Sequence, residues 1–127
     1  MLRQVATEVE PLVKGLSVVY LYVRDIGRSV AFYRDTLGIE FDVSDGWAET
    51  RFPGGTRFAL HGVHEGLPEP QNGTIHVDFG VDDIDAAAAR LRAAGVQVGE
   101  IFRQPYGSHC SFVDLDGYEL ELFQPAA

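Results

Sequence analysis

Residues 16–41 read LSVVYLYVRDIGRSVAFYRDTLGIEF, and residues 73–98 read GTIHVDFGVDDIDAAAARLRAAGVQV. In both stretches an alternating apolar run ends in Val-x-Asp-Ile and is followed by an amphipathic segment that ends at a glycine. Aligning residues 23–26 with residues 81–84 gives an offset of 58 residues (81 − 23). A unit of this length is too small to bury its own apolar face, so two copies are expected to pack together.

The composition restricts the class of protein. A chain of 127 residues is long enough for one domain, here residues 1–127, with repeats at about 16–62 and 73–124. The net charge of −9 argues against nucleic acid or an anionic membrane as the main partner. The single cysteine, Cys110, excludes an internal disulfide, and no run approaches the ~20 apolar residues of a membrane span. These features predict a cytoplasmic protein.

Each half is predicted to be β-α-β-β-β. Residues 16–23 alternate with a period of two and are rich in β-branched and aromatic residues, which predicts a strand buried on both faces. Asp25 is expected to cap the following helix, and Gly38 to end it. The other predicted elements are strands 39–43, 48–52, 57–60, 74–81, 98–102, 109–114 and 118–124, and a helix over 84–94. The predicted fold is therefore α+β, with two repeats forming a curled mixed sheet around a central cavity.

Two motifs accompany the repeat. Residues 25–38 contain D-x-x-x-S-x-x-F-Y-x-x-x-L-G, and residues 114–122 contain D-x-D-G-x-x-x-E-L. With the repeat, they resemble the vicinal oxygen chelate superfamily over residues 16–124. That superfamily contains glyoxalase I, extradiol dioxygenases, fosfomycin-resistance transferases and bleomycin-resistance binding proteins. The resemblance implies a small organic ligand and a homodimer, whereas Asp114 and Asp116 of the second motif are interpreted as structural turn residues.

The resemblance also implies a set of metal-ligand positions, on the first and last strand of each repeat. In this sequence they hold Val18, Ala59, His76 and Glu121. The first half therefore lacks both ligating positions, and the second half keeps both. His76 and Glu121 are the candidate catalytic residues and the candidate ligands of one divalent metal, Zn, Fe, Mn or Ni, on strands predicted to be inner.

Two ligands do not complete a catalytic metal site, which usually has three from the protein. His61, two residues after Ala59 on the same face, is a candidate third ligand, and His109 is another. The alternative is a site without metal. His76 and Glu121 would then hydrogen-bond each other and serve as a polar or proton-transfer pair.

The predicted ligand pocket combines aromatic and polar side chains. Its candidate residues are Tyr20, Trp47, Arg51, Asp78 and His109. An aromatic cleft with one arginine suits a planar or anionic organic molecule. Three functions remain open: a metal-assisted lyase, isomerase or dioxygenase-like enzyme, a metal-free protein that sequesters an aromatic antibiotic or metabolite, and an accessory interaction module.

Overall fold

The structure, a computed structural model, describes residues 16–62, 69, 72 and 76–127. The first half contains β1 (Val18–Val23), α1 (Ile26–Leu37), β2 (Asp42–Ser44), β3 (Trp47–Arg51) and β4 (Arg57–Gly62). The second half contains β5 (Asp78–Gly80), α2 (Ile84–Ala93), β6 (Phe102–Gln104), β7 (Gly107–Val113) and β8 (Glu119–Pro125). Residues 74 and 75 of the predicted fifth strand lie outside the described residues. The β-α-β-β-β plan of each half is confirmed.

The strands form two mixed sheets of four strands, in the orders β1-β4-β3-β2 and β5-β8-β7-β6. β1 is parallel to β4, and β5 is parallel to β8. In these pairs Tyr20 lies opposite Ala59, and Asp78 lies opposite Glu121. Both repeat offsets, 58 (78 − 20) and 62 (121 − 59), are therefore present in the sheet register, and the α+β prediction is confirmed.

Both helices begin and end where local chemistry requires. Asp25 caps α1 and Asp83 caps α2, each accepting a backbone N–H three residues on. α1 ends at Gly38, whose φ of 71° is the left-handed conformation that favours glycine. Gly95, with φ of 82°, follows α2 in the same way. Neither helix in the described ranges has the length and apolar character needed to cross a membrane.

The two halves share one apolar core. Val23, Tyr33 and Phe58 contribute to it from the first half. The ring of Phe79 lies edge-on to that of Phe58, with centroids 5.1 Å apart, and 6.3 Å from that of Phe112. The buried residues of both halves thus belong to a single core cluster, as expected of two units that each expose an apolar face.

A polar network at the D-x-D-G turn also joins the halves. The Tyr33 hydroxyl donates to Asp114 Oδ2 at 2.6 Å. The Ser29 hydroxyl donates to Asp116 Oδ2 at 3.2 Å, and Arg24 Nη1 lies 3.2 Å from Asp116 Oδ1. Burial raises the pKa of Asp114, while the hydrogen bond from Tyr33 opposes the rise. The structural interpretation of the two aspartates agrees with this geometry.

Two predicted strand positions are wrong. The strand predicted at 39–43 is β2 at Asp42–Ser44, because Ile39 turns into the core, where it is 9% exposed. The strand predicted at 98–102 is β6 at Phe102–Gln104. Val98 makes only an isolated bridge to Phe112, so two separate segments, at Val98 and at β6, pair with β7.

The prediction that the first strand is buried on both faces is also wrong. Tyr20 is 44% exposed and Tyr22 is 37% exposed, because α1 covers only the opposite face of the sheet. Nor are β1 and β5 inner strands, since each is the edge of its sheet. Glu121 does lie on an inner strand, β8, whereas His76 precedes the edge strand β5.

Candidate functional site

One carboxylate joins two histidines on the exposed face of the second sheet. Glu121 Oε2 lies 3.0 Å from His76 Nδ1, and Glu121 Oε1 lies 3.2 Å from His109 Nδ1. The side chains of His76, His109 and Glu121 are 60%, 28% and 22% exposed. With Asp78, these residues form a group that we call the Glu121 cluster.

The sheet register brings the cluster together. β8 lies between β5 and β7, so Glu121 faces Asp78 on one side and Ser111 on the other. His109 is two residues before Ser111 and therefore projects from the same face. Two neighbouring strands thus deliver polar side chains to one central carboxylate.

Asp78 is the most perturbed acid of the cluster. Partial burial raises its pKa, and the neighbouring charge of Glu121 raises it further. The two histidines act in the opposite direction, because positive imidazolium charge favours the ionised carboxylate. Adjacent carboxylates of this kind are typical of sites that hold or transfer a proton.

The hydrogen bond to Glu121 determines which nitrogen of His76 is available. An ionised carboxylate only accepts hydrogen bonds, so Nδ1 of His76 donates to Glu121 Oε2, whereas Nδ1 of His109 lies within ion-pair distance of Oε1, at 3.2 Å. In the neutral imidazole, Nε2 is then the acceptor. His76 therefore presents a basic nitrogen to solvent while its other nitrogen is anchored.

The donor set does not fit a metal ion in this arrangement. Among the residues that the structure describes, no three His, Cys, Asp or Glu side chains form a group that could hold one. Nδ1 of His76 is hydrogen-bonded to Oε2 of Glu121 at 3.0 Å, and while Nδ1 carries the proton only Nε2 of His76 is free to ligate. His61, the predicted third ligand, lies among the rings of Tyr20, Tyr22 and Trp47.

Those four rings form a second group, on the exposed face of the first sheet, that we call the aromatic cluster. Tyr20 lies 5.3 Å from Trp47 and 5.8 Å from Tyr22, and His61 lies 5.4 Å from Tyr22, measured between centroids. Trp47 Nε1 also donates to Glu49 at 2.7 Å, and this bond lowers the pKa of Glu49. The cluster is a partly exposed apolar surface whose indole is held in one orientation.

The predicted pocket residues are therefore divided between the two sheets. Tyr20 and Trp47 belong to the aromatic cluster, and Asp78 and His109 to the Glu121 cluster. Arg51 joins neither, since its Nη1 donates to the backbone oxygen of Gly55 at 2.9 Å. The side chain is thus engaged by the turn that follows β3.

Sequence reasoning missed three aromatic side chains near the Glu121 cluster. The Phe102 ring lies 5.6 Å from the His109 ring, and Tyr106 lies 6.4 Å from Phe123, between centroids. Alternation along the last strand places Phe123 on the face of Glu121, so that signal was available. Phe102 gave no such signal, because its strand was predicted at 98–102, and Tyr106 lies in the turn between β6 and β7, where alternation does not apply.

Comparison with known proteins agrees with the duplicated fold. The family model described as "Glyoxalase/Bleomycin resistance protein/Dioxygenase superfamily" matches residues 15–122. The uncharacterized protein YaeR of Escherichia coli (strain K12) is 32% identical over 125 residues, covering 87% of this chain and 96% of YaeR.

Among solved structures, one similar chain is TnmS3, an antibiotic binding protein from Streptomyces sp. CB03234. It has a TM-score of 0.75 and 25% sequence identity to this chain, and the match covers 92% of this chain and 100% of the TnmS3 chain. The fosfomycin resistance protein FosX from Listeria monocytogenes has the same fold, with a TM-score of 0.75 and 21% sequence identity. The match covers 91% of this chain and 96% of the FosX chain. The chain belongs to the glyoxalase/bleomycin resistance protein/dioxygenase superfamily.

Proposed function

We propose that this protein is an enzyme of the isomerase or lyase class that transfers a proton on a small organic molecule. His76 and Glu121 form its acid–base pair. The observation that carries the proposal is the single carboxylate held between Nδ1 of His76 and Nδ1 of His109, at 3.0 and 3.2 Å. A carboxylate behind an exposed imidazole is the usual arrangement of a histidine general base.

The proposed step uses Nε2 of His76. This nitrogen takes a proton from a carbon next to a carbonyl group, so the C–H bond breaks and an N–H bond forms. The electron pair moves to the carbonyl oxygen as an enolate, and the imidazolium is stabilised by Glu121 at 3.0 Å. Return of the proton to a neighbouring atom completes an isomerisation. His109 acts as a positioning residue, because it holds the other carboxylate oxygen.

We also propose that the protein is a homodimer. β1 and β5 are each paired on one side only in the ranges that the structure describes. Edge strands of this kind present unpaired backbone groups that a second chain can satisfy. Pairing β1 of one copy with β5 of another would join the sheet that carries the aromatic cluster to the sheet that carries the Glu121 cluster. Sedimentation analysis should give the mass of two chains, and a one-chain mass at micromolar concentration would contradict the dimer.

A second candidate function is a metal-free binding protein for an aromatic molecule. The aromatic cluster favours it, because Tyr20 is 44% exposed beside an indole held by Glu49. The similarity to the antibiotic binding protein TnmS3 supports the same candidate. In this case the Glu121 cluster would supply hydrogen bonds to the ligand and no chemistry.

A cytoplasmic location also remains a proposal. Cys110 is 1% exposed, and burial raises the pKa of its thiol. A buried neutral thiol needs no disulfide partner, which supports a reducing compartment. Cell fractionation with an antibody to the protein tests this proposal.

The test of the enzyme proposal follows proton exchange in D2O by NMR, on a panel of uncharged hydroxyketones. Glu121→Gln should slow exchange about 100-fold or more, since it removes the ion that stabilises the imidazolium. Glu119→Gln is the matched control, because its exposed carboxyl lies on the same strand, and its rate should stay close to wild type. Equal rates for the two variants would overturn the proposal.

A second measurement needs no substrate. Long-range proton–nitrogen NMR of the imidazole ring should show the Nδ1–H form for His76 in the neutral state. Absence of exchange with every compound of the panel, together with retained binding of one of them, would favour the binding protein over the enzyme.

A further inference from the structure

Four rings lie in one surface on the exposed face of the second sheet. Phe102 is opposite His109 in β6 and β7, and His109 is opposite Phe123 in β7 and β8. The planes of Phe102 and His109 differ by 29°, and those of Tyr106 and Phe123 by 19°. With centroids 5.6 and 6.4 Å apart, these near-parallel pairs lie offset from each other. We call these residues the aromatic shelf.

The shelf is both exposed and held in place. Phe102 is 50% exposed and Tyr106 is 64% exposed, unusual values for large aromatic side chains. A side chain at Gly107 would meet the Phe123 ring at 2.8 Å, so the ring lies directly against the backbone there. Gly80, opposite Phe123, has no atom within 4 Å of the position of a Cβ. Next to Phe123, the space above Gly80 is therefore open.

The charge beside the shelf is negative. Glu121 contacts His109, a member of the shelf, at 3.2 Å, and Asp78 faces Glu121 across the strand pair. Asp78 and Glu121 lie on the exposed face of this sheet, and Glu119 shares that face by alternation. The arginine on these strands, Arg103, donates to Asp85 of α2 at 2.7 Å and belongs to the other face.

This charge distribution determines which charge a flat ligand of this face should carry. An anionic ring system would meet carboxylates with no arginine or lysine on the described strands of this face to offset them. A cationic one would gain from the carboxylates and from the faces of the phenyl and phenol rings. The sequence predicted a planar or anionic ligand, and the anionic alternative depended on Arg51, whose guanidinium is engaged by Gly55.

We propose that the ligand of this face is a planar aromatic molecule with a positive charge, which lies on the aromatic shelf and directs its charged group at the carboxylates of Glu121 and Asp78. The inference rests on the proposed function only in using the same face of the sheet. It identifies the class of ligand, and it assigns Phe102, Tyr106 and Phe123 as residues that determine specificity.

The test uses two probes of similar ring size and opposite charge, proflavine and anthracene carboxylate, titrated against the full chain and followed by fluorescence. Proflavine should bind about tenfold or more tightly than anthracene carboxylate, because of the carboxylates. Tyr106→Ala should weaken proflavine binding about fivefold or more, since it removes an exposed ring face. Leu115→Ala is the control, because Leu115 is 43% exposed at the turn between β7 and β8, and it should leave the affinity unchanged.

A second variant controls for the possibility that weaker binding results from a change of fold. Phe123→Leu keeps an apolar side chain next to Gly107 and should weaken proflavine binding without changing the circular dichroism spectrum. Equal affinity for the two probes, or unchanged proflavine affinity in both Tyr106→Ala and Phe123→Leu, would overturn the inference. A shelf covered by a second copy of the chain would also overturn it, and would appear as absent probe binding together with a one-chain mass for Tyr106→Ala.

The inference and the proposed function can fail separately. If Glu121→Gln abolishes proton exchange while Tyr106→Ala and Phe123→Leu both keep full proflavine affinity, the enzyme proposal stands and the inference about the ligand is wrong. If Tyr106→Ala loses proflavine while Glu121→Gln keeps its exchange rate, the ligand class stands and the acid–base role is wrong.

Discussion

Asp78 and Glu121 face each other directly in the parallel pairing of β5 with β8. Burial and the charge of Glu121 together raise the pKa of Asp78. The folded protein therefore holds the Asp78 proton more tightly than the unfolded chain does. The stability contributed by this proton is fully present below the unfolded pKa and is lost as the pH rises through the folded pKa.

Asp78→Asn should consequently stabilise the protein at neutral pH. The replacement removes the repulsion between two carboxylates, and the gain should be less than about 1 kcal/mol because the side chain is exposed to solvent. Urea denaturation at a series of pH values measures it. The gain should shrink as the pH falls through the raised folded-state pKa of Asp78 and should be absent below about 4, where Asp78 is protonated in both states, and a gain that is independent of pH would contradict this explanation.

Tyr33→Phe should destabilise the protein by about 1–3 kcal/mol, because it leaves the buried Asp114 Oδ2 without its donor. Tyr118→Phe is a matched control that removes a hydroxyl contact to the backbone oxygen of Tyr22 in a more exposed position, and it should cost about 0.5 kcal/mol. Chemical denaturation compares the free energies of unfolding. Equal losses in the two variants would mean that burial of the Tyr33–Asp114 hydrogen bond does not determine how much that bond contributes to the free energy of unfolding.

Gly107→Ala should cost about 2–4 kcal/mol of stability. Gly107 has φ of 149°, and its Cβ would lie 2.5 Å from the Gln124 oxygen and 2.8 Å from the Phe123 ring. Gly80→Ala is the control in the same sheet, since nothing lies within 4 Å of its Cβ, and it should change stability by less than about 0.5 kcal/mol. The melting temperatures of both variants measure the difference, and a neutral Gly107→Ala would show that Phe123 does not lie against that backbone.

Metal content follows from the pairing of His76 with Glu121. If His76 donates Nδ1–H to the carboxylate, the protein should purify with well below one equivalent of Zn, Fe, Mn or Ni, because no three ligands converge among the residues that the structure describes. Dialysis against a chelator should then leave proton exchange unchanged. Stoichiometric metal that is lost in His76→Ala would overturn the proton-transfer pair in favour of a metal-assisted enzyme.

The local sequence pattern was sufficient to predict most of the fold. The capping side chain of Asp25 and the glycines at 38 and 95 mark helix ends through interactions within a few residues, and all three predictions agree with the structure. The strand near Val98 was predicted wrongly because its register depends on β7, a partner outside the local window. Such a strand is specified by pairing more than by its own alternation.

The sequence by itself determined the duplicated α+β plan, the superfamily and the asymmetry between the halves, in which His76 and Glu121 take the places of Val18 and Ala59. These follow from repeat spacing and periodicity, which a linear pattern records. Only the tertiary structure decided that Glu121 is shared with His109, that His61 lies among aromatic rings, and that Arg51 is engaged by a turn. The physical reason is that the contacts of a side chain depend on which strands become neighbours in the sheet. Small differences in the distance between two side chains then decide whether they hydrogen-bond each other or ligate a metal.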